Sequence, residues 1–301
     1  MPTMSRTRTY LAFALVALIW GSTWLVIKDQ IGFSPPGWTV TWRFILAAAG
    51  MAGLAAWRGE SLVLPRKGIV LAAVVGLAQF CSNFQLVYRS EHYVPSGLVA
   101  VLYALLIVPN AVLGRVFLKA PLRGRFLAGS GVAIVGIALL IAQEYREHMG
   151  DGGGNTLLGV AFALGGVMSA SSANILQNTP LGRAQPLIPF VTWAMAAGAL
   201  GDGIAAYALH GPPVVPHDLR FWGGVAWLAL AGSVAAFPIY FALIRQIGAG
   251  LAAYTNVVVP VVAMALSTLF EGYRWTPLAV GGSLLAGVGL LIALSPSRKV
   301  G

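Results

Sequence analysis

Long apolar runs separated by short polar segments extend through the whole chain. A membrane-spanning helix needs about 20 mostly apolar residues, and the runs meet this length with few charges inside them. Segments rich in proline, glycine or charge separate the runs. The pattern predicts ten spans, at residues 10–28, 38–57, 68–89, 94–117, 124–143, 156–178, 186–208, 221–245, 249–271 and 276–295.

The second half of this pattern repeats the first. Shifting residues 97–140 forward by 153 positions aligns them without a gap on residues 250–293. The register keeps small residues in place, as in the identity of Gly97 with Gly250, which random apolar sequence would not supply. Each half holds five spans, and because five is odd, the second half must enter the membrane from the opposite side. We therefore predict an all-α polytopic membrane protein of ten transmembrane helices arranged as two inverted five-helix repeats.

The boundaries of the repeats follow from the same register. The first repeat is predicted at residues 1–147 and the second at residues 156–301. Residues 148–155, with three consecutive glycines, are predicted to form a flexible external linker.

Composition supports a membrane protein and excludes several other classes. Hydrophobic residues make up 58% of the 301 residues and charged residues 9%, with a mean hydropathy of +0.80, whereas soluble domains carry about 25% charged residues. The net charge is +10, but the basic residues lie thinly between apolar runs, so no nucleic-acid partner is predicted. The single cysteine, Cys81, excludes an intrachain disulfide and a cysteine-cluster metal site.

The distribution of Lys and Arg predicts the orientation in the membrane. If the N-terminus is cytoplasmic, most of the 19 basic residues fall in cytoplasmic segments, as the positive-inside rule requires. Ten spans then place the C-terminus in the cytoplasm as well. All four histidines fall in predicted external loops, so neither a metal nor a proton relay is predicted within the bilayer, and no cofactor is predicted.

Amide and aromatic side chains within the spans indicate an internal pocket. Gln79 and Asn83 lie one helical turn apart. Trp20 lies near the middle of its span, whereas a tryptophan of the membrane interface would lie at one of its ends. An amide facing lipid would cost several kcal/mol, so this face must look into the bundle, either as contact between helices or as part of a binding site. The predicted substrate-binding residues are Trp20, Gln79, Asn83, Tyr103, Phe237, Tyr240 and Asn256.

Small residues predict a helix contact. Gly129 with Ala133 and Gly282 with Ala286 form matching small-xxx-small patterns in spans five and ten. Such patterns let two helix backbones approach closely, and we assign them to packing or to a homodimer contact.

Two charges remain inside predicted spans, Arg43 in span two and Asp202 in span seven. Counted at 1.5 Å per residue, both lie roughly 7 to 10 Å below the external surface. Each side chain either reaches toward the surface or helps to form an external gate, as an ion pair or with Arg43 holding a substrate carboxylate. A carboxylate dyad, a Walker loop, a Gly-x-Ser-x-Gly nucleophile and a zinc motif are all missing from the sequence, so no enzyme is predicted.

The chain resembles the drug/metabolite transporter superfamily, specifically its ten-span EamA-type members. The residues that carry this resemblance are Trp20-Gly-Ser-Thr-Trp-Leu-Val-Ile-Lys28, Trp42-Arg-Phe44, Gly97-Leu-Val-Ala100 and Gly250-Leu-Ala-Ala253. The sequence looks most like the bacterial exporters of aromatic and neutral amino acids. The resemblance implies efflux across the bacterial inner membrane from a cavity between the repeats, with lipid and a small-molecule substrate as partners.

Two features of the sequence bear on substrate and energy coupling. Many EamA-type members carry Gly-Glu after helix four, whereas this chain has Lys119-Ala120, and Asp202 is its only acidic residue inside a span. We therefore predict concentration-driven flux without obligatory proton exchange. An exchanger of nucleotide sugars or sugar phosphates stays an alternative, although it would need more buried cations, and so does a membrane scaffold or receptor without flux.

Overall fold

The computed structural model describes residues 6–122, 124–147, 154–240, 242–243 and 254–294. Within these ranges the regular structure is entirely helical, which confirms the predicted all-α class. Besides a single turn at Pro180–Arg183, it forms ten long helices: α1 Arg6–Gln30, α2 Pro36–Trp57, α3 Arg66–Ser90, α4 Ser96–Leu118, α5 Gly124–Glu147, α6 Gly154–Gln177, α7 Leu187–His210, α8 Leu219–Tyr240, α9 Thr255–Phe270 and α10 Pro277–Leu294.

Nine of the ten helices in the described ranges are long and apolar enough to cross a membrane. The tenth, α9, is described over 16 residues, because the first residues of the span predicted at 249–271 lie outside the described ranges, as does the end of the span predicted at 221–245. The ten predicted spans thus each correspond to one observed helix.

Proline marks the starts of several helices. Pro35, Pro65, Pro95 and Pro186 precede α2, α3, α4 and α7, each with an extended ψ between 130° and 151°. Proline fixes φ near −65° and lacks an N–H, which the first turn of a helix does not need. These prolines therefore set where the chain turns back into the bundle.

The first helix of each half packs in the other half. Helix α1 contacts α8 and α9 as well as α4 of its own half, and α6 contacts α3 and α4 of the first half. The approach of α1 to α9 is close enough that a Cβ added at Gly21 would lie 2.5 Å from the Cβ of Val262. This exchange encloses a space that is lined mainly by α1, α3, α4, α6, α8 and α9 and is completed by residues of α2 and α7.

Equivalent helices of the two halves also pair with each other. Helix α2 packs along α7, and α5 packs along α10. At the second contact a Cβ on Gly136 would lie 2.6 Å from the backbone oxygen of Gly282, and one on Gly289 would lie 2.6 Å from that of Gly129. Gly129, Ala133, Gly282 and Ala286, the predicted packing residues, all lie in this contact. The face they form is therefore covered within one chain.

Packing of α5 on α10 generates a stability prediction. We expect Gly136→Leu to lower the folded yield and the thermal midpoint in detergent, because forcing extra methylenes into a packed contact costs about 1–3 kcal/mol or more. The matched control is Gly131→Leu in the same helix, where nothing lies within 4 Å of an added Cβ. Equal melting of the two variants would contradict the contact.

Candidate functional site

The space enclosed by the exchanged helices is a cavity of about 460 Å³, within the range of small-molecule sites. It reaches the surface at Asn178, which is exposed, at the C-terminal end of α6. At its other end the lining residues Ile27, Arg43 and Val87 are at most 4% exposed. The cavity is thus open at one end of the bundle and closed at the other.

All seven predicted substrate-binding residues line this one cavity, and Arg43 lines it as well: the seven are Trp20, Gln79, Asn83, Tyr103, Phe237, Tyr240 and Asn256. They come from five helices, α1, α3, α4, α8 and α9, of both halves. The structure brings them together, while their contact with a substrate stays a prediction.

Aromatic rings form one wall of the cavity. The indole of Trp20 lies 5.0 Å from the ring centroid of Tyr240 and 5.7 Å from that of Phe237. Its Nε1 donates a hydrogen bond of 3.1 Å to the backbone oxygen of Gly232. Because the ring is held by this bond and by its neighbours, the wall presents a fixed apolar surface to the cavity.

A break in α4 shapes the opposite wall. A proline ring clashes with the carbonyl four residues before it in a continuous helix, which for Pro109 is the carbonyl of Leu105. Helix α4 is accordingly interrupted by a turn at residues 105–106. On one side of the break, Tyr103 lies 5.0 Å from Trp24, ring centre to ring centre, and its hydroxyl donates to Asn83 Oδ1 at 2.6 Å. Asn83 is therefore oriented by α4 and not only by its own helix.

Two π-helical segments lie at equivalent positions of the halves. Leu77–Ser82 interrupts α3, and Trp227–Ala235 interrupts α8; the shift of 153 residues places the first segment on residues 230–235, inside the second. A π turn leaves backbone carbonyls free for other donors. Ala78 O accepts from Ser169 of α6 at 2.8 Å, and Gly232 O accepts from Trp20 of α1. Each π segment is thus bonded by the first helix of the other half.

Arg43 is the one cation of the described part of the cavity wall. It is 4% exposed, and its guanidinium lies 4.3 Å from the ring centroid of Phe84 and 5.2 Å from that of Phe44. Within the described ranges its Nε and Nη1 have no hydrogen-bond partner. Stacking on two rings compensates part of the cost of burying the charge, but the guanidinium still has donors to offer to a ligand.

The hypothesis of an ion pair between Arg43 and Asp202 does not describe this conformation. Asp202 is fully buried, does not line the cavity, and accepts a hydrogen bond of 2.8 Å from Gln85 Nε2. No side-chain nitrogen of Arg43 lies within 4 Å of an Asp202 carboxylate oxygen, whereas Arg220 does form an ion pair with Asp29. Counting residues along each predicted span indicates the depth of both charges but not the rotation of α2 and α7 about their axes. Their part in a gate remains a prediction.

Sequence reasoning missed an amide group near the open end. Asn110, Asn174, Gln177 and Asn178 all line the cavity, and Asn174 Nδ2 donates to Asn110 Oδ1 at 3.3 Å. Asn110 directly follows the proline that breaks α4, and this combination of a helix break and an amide inside a span was the available signal.

A second group was missed because it lies in a loop of the sequence but in the interior of the structure. Glu91 directly follows α3, yet it is 0% exposed, whereas the equally loop-placed Tyr93 is 36% exposed. Burial raises the pKa of the Glu91 carboxyl well above its usual range. No group of three or more His, Cys, Asp or Glu side chains that could hold a metal ion occurs in the described part of the chain.

The fold and the cavity together define a multi-pass membrane transporter. The model of the EamA-like transporter family matches residues 7–142 and 157–295, once in each half. The chain belongs to the EamA-like transporter family. This match confirms the predicted transporter class, and with it the expectation that the chain is not an enzyme.

Relatives of known name are distant. The uncharacterized inner membrane transporter YedA of Escherichia coli K12 is 28% identical, with 86% of this chain and 81% of YedA covered. A protein of the same organism named as a probable amino-acid metabolite efflux pump is 25% identical over 96% of this chain and 95% of its own. Protein PagO of Salmonella typhimurium is 24% identical, with coverages of 90% and 87%.

A solved crystal structure shares the fold. Its TM-score is 0.65 at 20% sequence identity, and the match covers 96% of this chain and 97% of the other. At this identity the likeness shows the fold alone.

The bond between Tyr103 and Asn83 generates a prediction about the site. Tyr103→Phe keeps the ring beside Trp24 but leaves Asn83 Oδ1 without its donor, at a cost of about 0.5–1.5 kcal/mol. We expect a several-fold weaker transport affinity, measured from the concentration dependence of substrate exchange in proteoliposomes. The matched control, Tyr207→Phe on the exposed face of α7, should match the wild type. An unchanged affinity in Tyr103→Phe would show that the bond between Tyr103 and Asn83 does not contribute to substrate binding.

Proposed function

We propose that this chain exports small amphipathic metabolites, foremost aromatic and neutral amino acids, across the bacterial inner membrane. The observation that carries the proposal is the lining of the cavity, which in the described part of the chain consists of aromatic walls, neutral amides and one buried guanidinium. An apolar side chain would pack against Trp20, Phe237 and Tyr240, and the carboxylate would take the free donors of Arg43. The efflux-pump relative supports the same substrate class.

Alternating access is the mechanism we propose. With the N-terminus in the cytoplasm, as predicted, the open end at Asn178 faces the cytoplasm and the closed end at Arg43 faces outward. A substrate would enter past the amides of α4 and α6 and bind between the halves. Outward opening would then require the halves to move about the contacts that join them, which is the general behaviour of inverted-repeat transporters.

The alternative substrates fit the cavity less well. A sugar phosphate carries two negative charges near neutral pH and is usually held by several Lys or Arg side chains. The described part of the wall supplies one. We therefore favour a ligand with a single carboxylate.

Transport itself is tested in liposomes. Proteoliposomes loaded with unlabelled phenylalanine should take up labelled phenylalanine by exchange, faster than liposomes without protein. Ala104→Trp should abolish the exchange, because Ala104 is 4% exposed and lines the cavity, so an indole there would fill it. Ala56→Trp, at an exposed position of α2, is the matched control. If Ala104→Trp still exchanges phenylalanine, the substrate does not pass through this cavity. If the wild type shows no exchange, the proposal of amino-acid transport is refuted.

The role of Arg43 is tested by ligand pairs. Loss of a charge-assisted hydrogen bond costs about 1.5–3 kcal/mol, so Arg43→Gln should weaken phenylalanine binding about tenfold to a hundredfold. Phenethylamine lacks the carboxylate, so it should inhibit the exchange of labelled phenylalanine by the wild type only weakly. In Arg43→Gln it should inhibit that exchange as well as unlabelled phenylalanine does. Arg66→Gln, at an exposed position, should behave as the wild type. If Arg43→Gln keeps the preference for the carboxylate, Arg43 does not bind it.

A further inference from the structure

Glu91 lies where the outer ends of the two halves are joined, at the end of the bundle that the predicted topology places outside. The hydroxyl of Tyr88 donates to Gln30 Oε1 at 3.4 Å, and Gln30 Nε2 donates to the backbone oxygen of Phe221 of α8 at 3.1 Å. Beyond them Arg220 of α8 pairs with Asp29 of α1. The bond from Gln30 to Phe221 and the ion pair of Arg220 with Asp29 cross from one half to the other, at the same end of the bundle as the buried lining residue Arg43.

Two more contacts complete this closure. The ammonium of Lys28 donates to the backbone oxygens of Glu91 and Val94, which ties α1 to the loop between α3 and α4. The Glu271 carboxylate, after α9, accepts from the backbone N of Ser96 at 2.9 Å and from the Ser96 hydroxyl. It thereby caps the N-terminus of α4 from the second half.

The carboxyl of Glu91 takes no part in these bonds. Both of its oxygens are buried and lack a hydrogen-bond partner among the described residues, although Lys28 bonds the backbone oxygen of the same residue. A buried carboxylate without a partner costs several kcal/mol, and the usual response is to bind a proton. The closed end therefore holds a carboxyl that is stable there only in its neutral form.

The charges around Glu91 do not change this conclusion. Lys28 of α1 and Arg43 of α2 lower the pKa of Glu91, and Glu271 after α9 raises it. Burial is the largest effect and raises the pKa well above its ordinary value of 4.5. Helix α6, which also packs on the end of α3, carries no charged residue from Asn155 to Gln177. The neighbouring His92 has its pKa lowered by its partial burial and by Lys28.

We propose that Glu91 is a proton-binding site of the external gate, protonated when the gate is closed and ionised when the gate opens to external water. The inference rests on the alternating-access cycle proposed above, but it concerns the gate and not the substrate.

The direction of the pH effect follows from linkage. Because the closed gate binds the proton more tightly than the open gate, closure is favoured at low pH. As the external pH rises above about 4.5 and toward the raised pKa, the open-to-closed ratio should increase by up to about tenfold per pH unit. Export should therefore be slower at acid than at neutral external pH.

The test reads the gate directly, without substrate. In a Cys81→Ala background, Ile27→Cys places a thiol at a position that is 2% exposed at the closed end. Its labelling by a membrane-impermeant maleimide, added outside right-side-out membrane vesicles that have been washed free of cytoplasmic metabolites, is measured from pH 5 to pH 8. The labelling rate of Ile27→Cys is divided by that of His217→Cys, which lies at an exposed external position. This ratio removes the pH dependence of the thiol reaction itself. We expect the ratio to rise steeply with pH.

Variants assign this rise to Glu91. Glu91→Gln mimics the protonated carboxyl and should give a low ratio that no longer changes with pH, whereas Glu60→Gln, in the predicted cytoplasmic loop, should keep the wild-type profile. A flat ratio in the Ile27→Cys protein, or the same rise in Glu91→Gln, would overturn the proposal. If Glu91→Gln fails to fold, His92→Gln decides: a rise that persists supports Glu91, and a rise that disappears assigns the effect to the histidine. Because no substrate is present, the outcome is independent of whether phenylalanine is exported.

Discussion

Backbone carbonyls within a bilayer must find donors inside the protein, and the two π segments are where this requirement joins the halves. Each segment frees carbonyls in the middle of a spanning helix, where lipid offers no donor and the protein or cavity water must supply one. The donors come from the other half, Ser169 to α3 and Trp20 to α8. Asn83 and Ser233 bond further carbonyls of the segments from within the same half. The cavity itself is lined by residues of both halves, so it exists only when the halves are assembled. The same arrangement places Gln79, within the first segment, on the cavity wall.

The charges of the interior divide into those at the cavity and those beyond its closed end. Arg43 lies between two phenylalanine rings with donors that no described residue uses, which suits a ligand that arrives with a carboxylate. Glu91 and Asp202 lie outside the cavity wall. Such a division lets a carboxylate ligand bind without competing acidic side chains. It also leaves the outer carboxyl of Glu91 to respond to the state of the gate.

Periodicity and depth predicted most of the fold and much of the cavity from sequence. The spacing of Gln79 and Asn83 showed which face of α3 looks inward, and the depth of Trp20 showed that it is no interfacial anchor. Those arguments need only the helix repeat and the polarity of each side chain. The π segments were not predicted, because Leu77–Ser82 differs little from α-helical sequence and the insertion depends on tertiary contacts. Glu91 was missed because a loop residue is assumed to be exposed, and only the packing of α1 against the loop shows otherwise.

The central claim is that the substrate binds in the cavity between the exchanged helices and reaches it from the cytoplasm. Ala170 of α6 lines the cavity and is 2% exposed, so Ala170→Cys in a Cys81→Ala background provides a small probe there. In inside-out membrane vesicles, the account predicts that a membrane-impermeant maleimide labels this cysteine and that phenylalanine slows the labelling in proportion to its occupancy. Labelling that phenylalanine leaves unchanged, or that occurs only from the external side, would contradict the account.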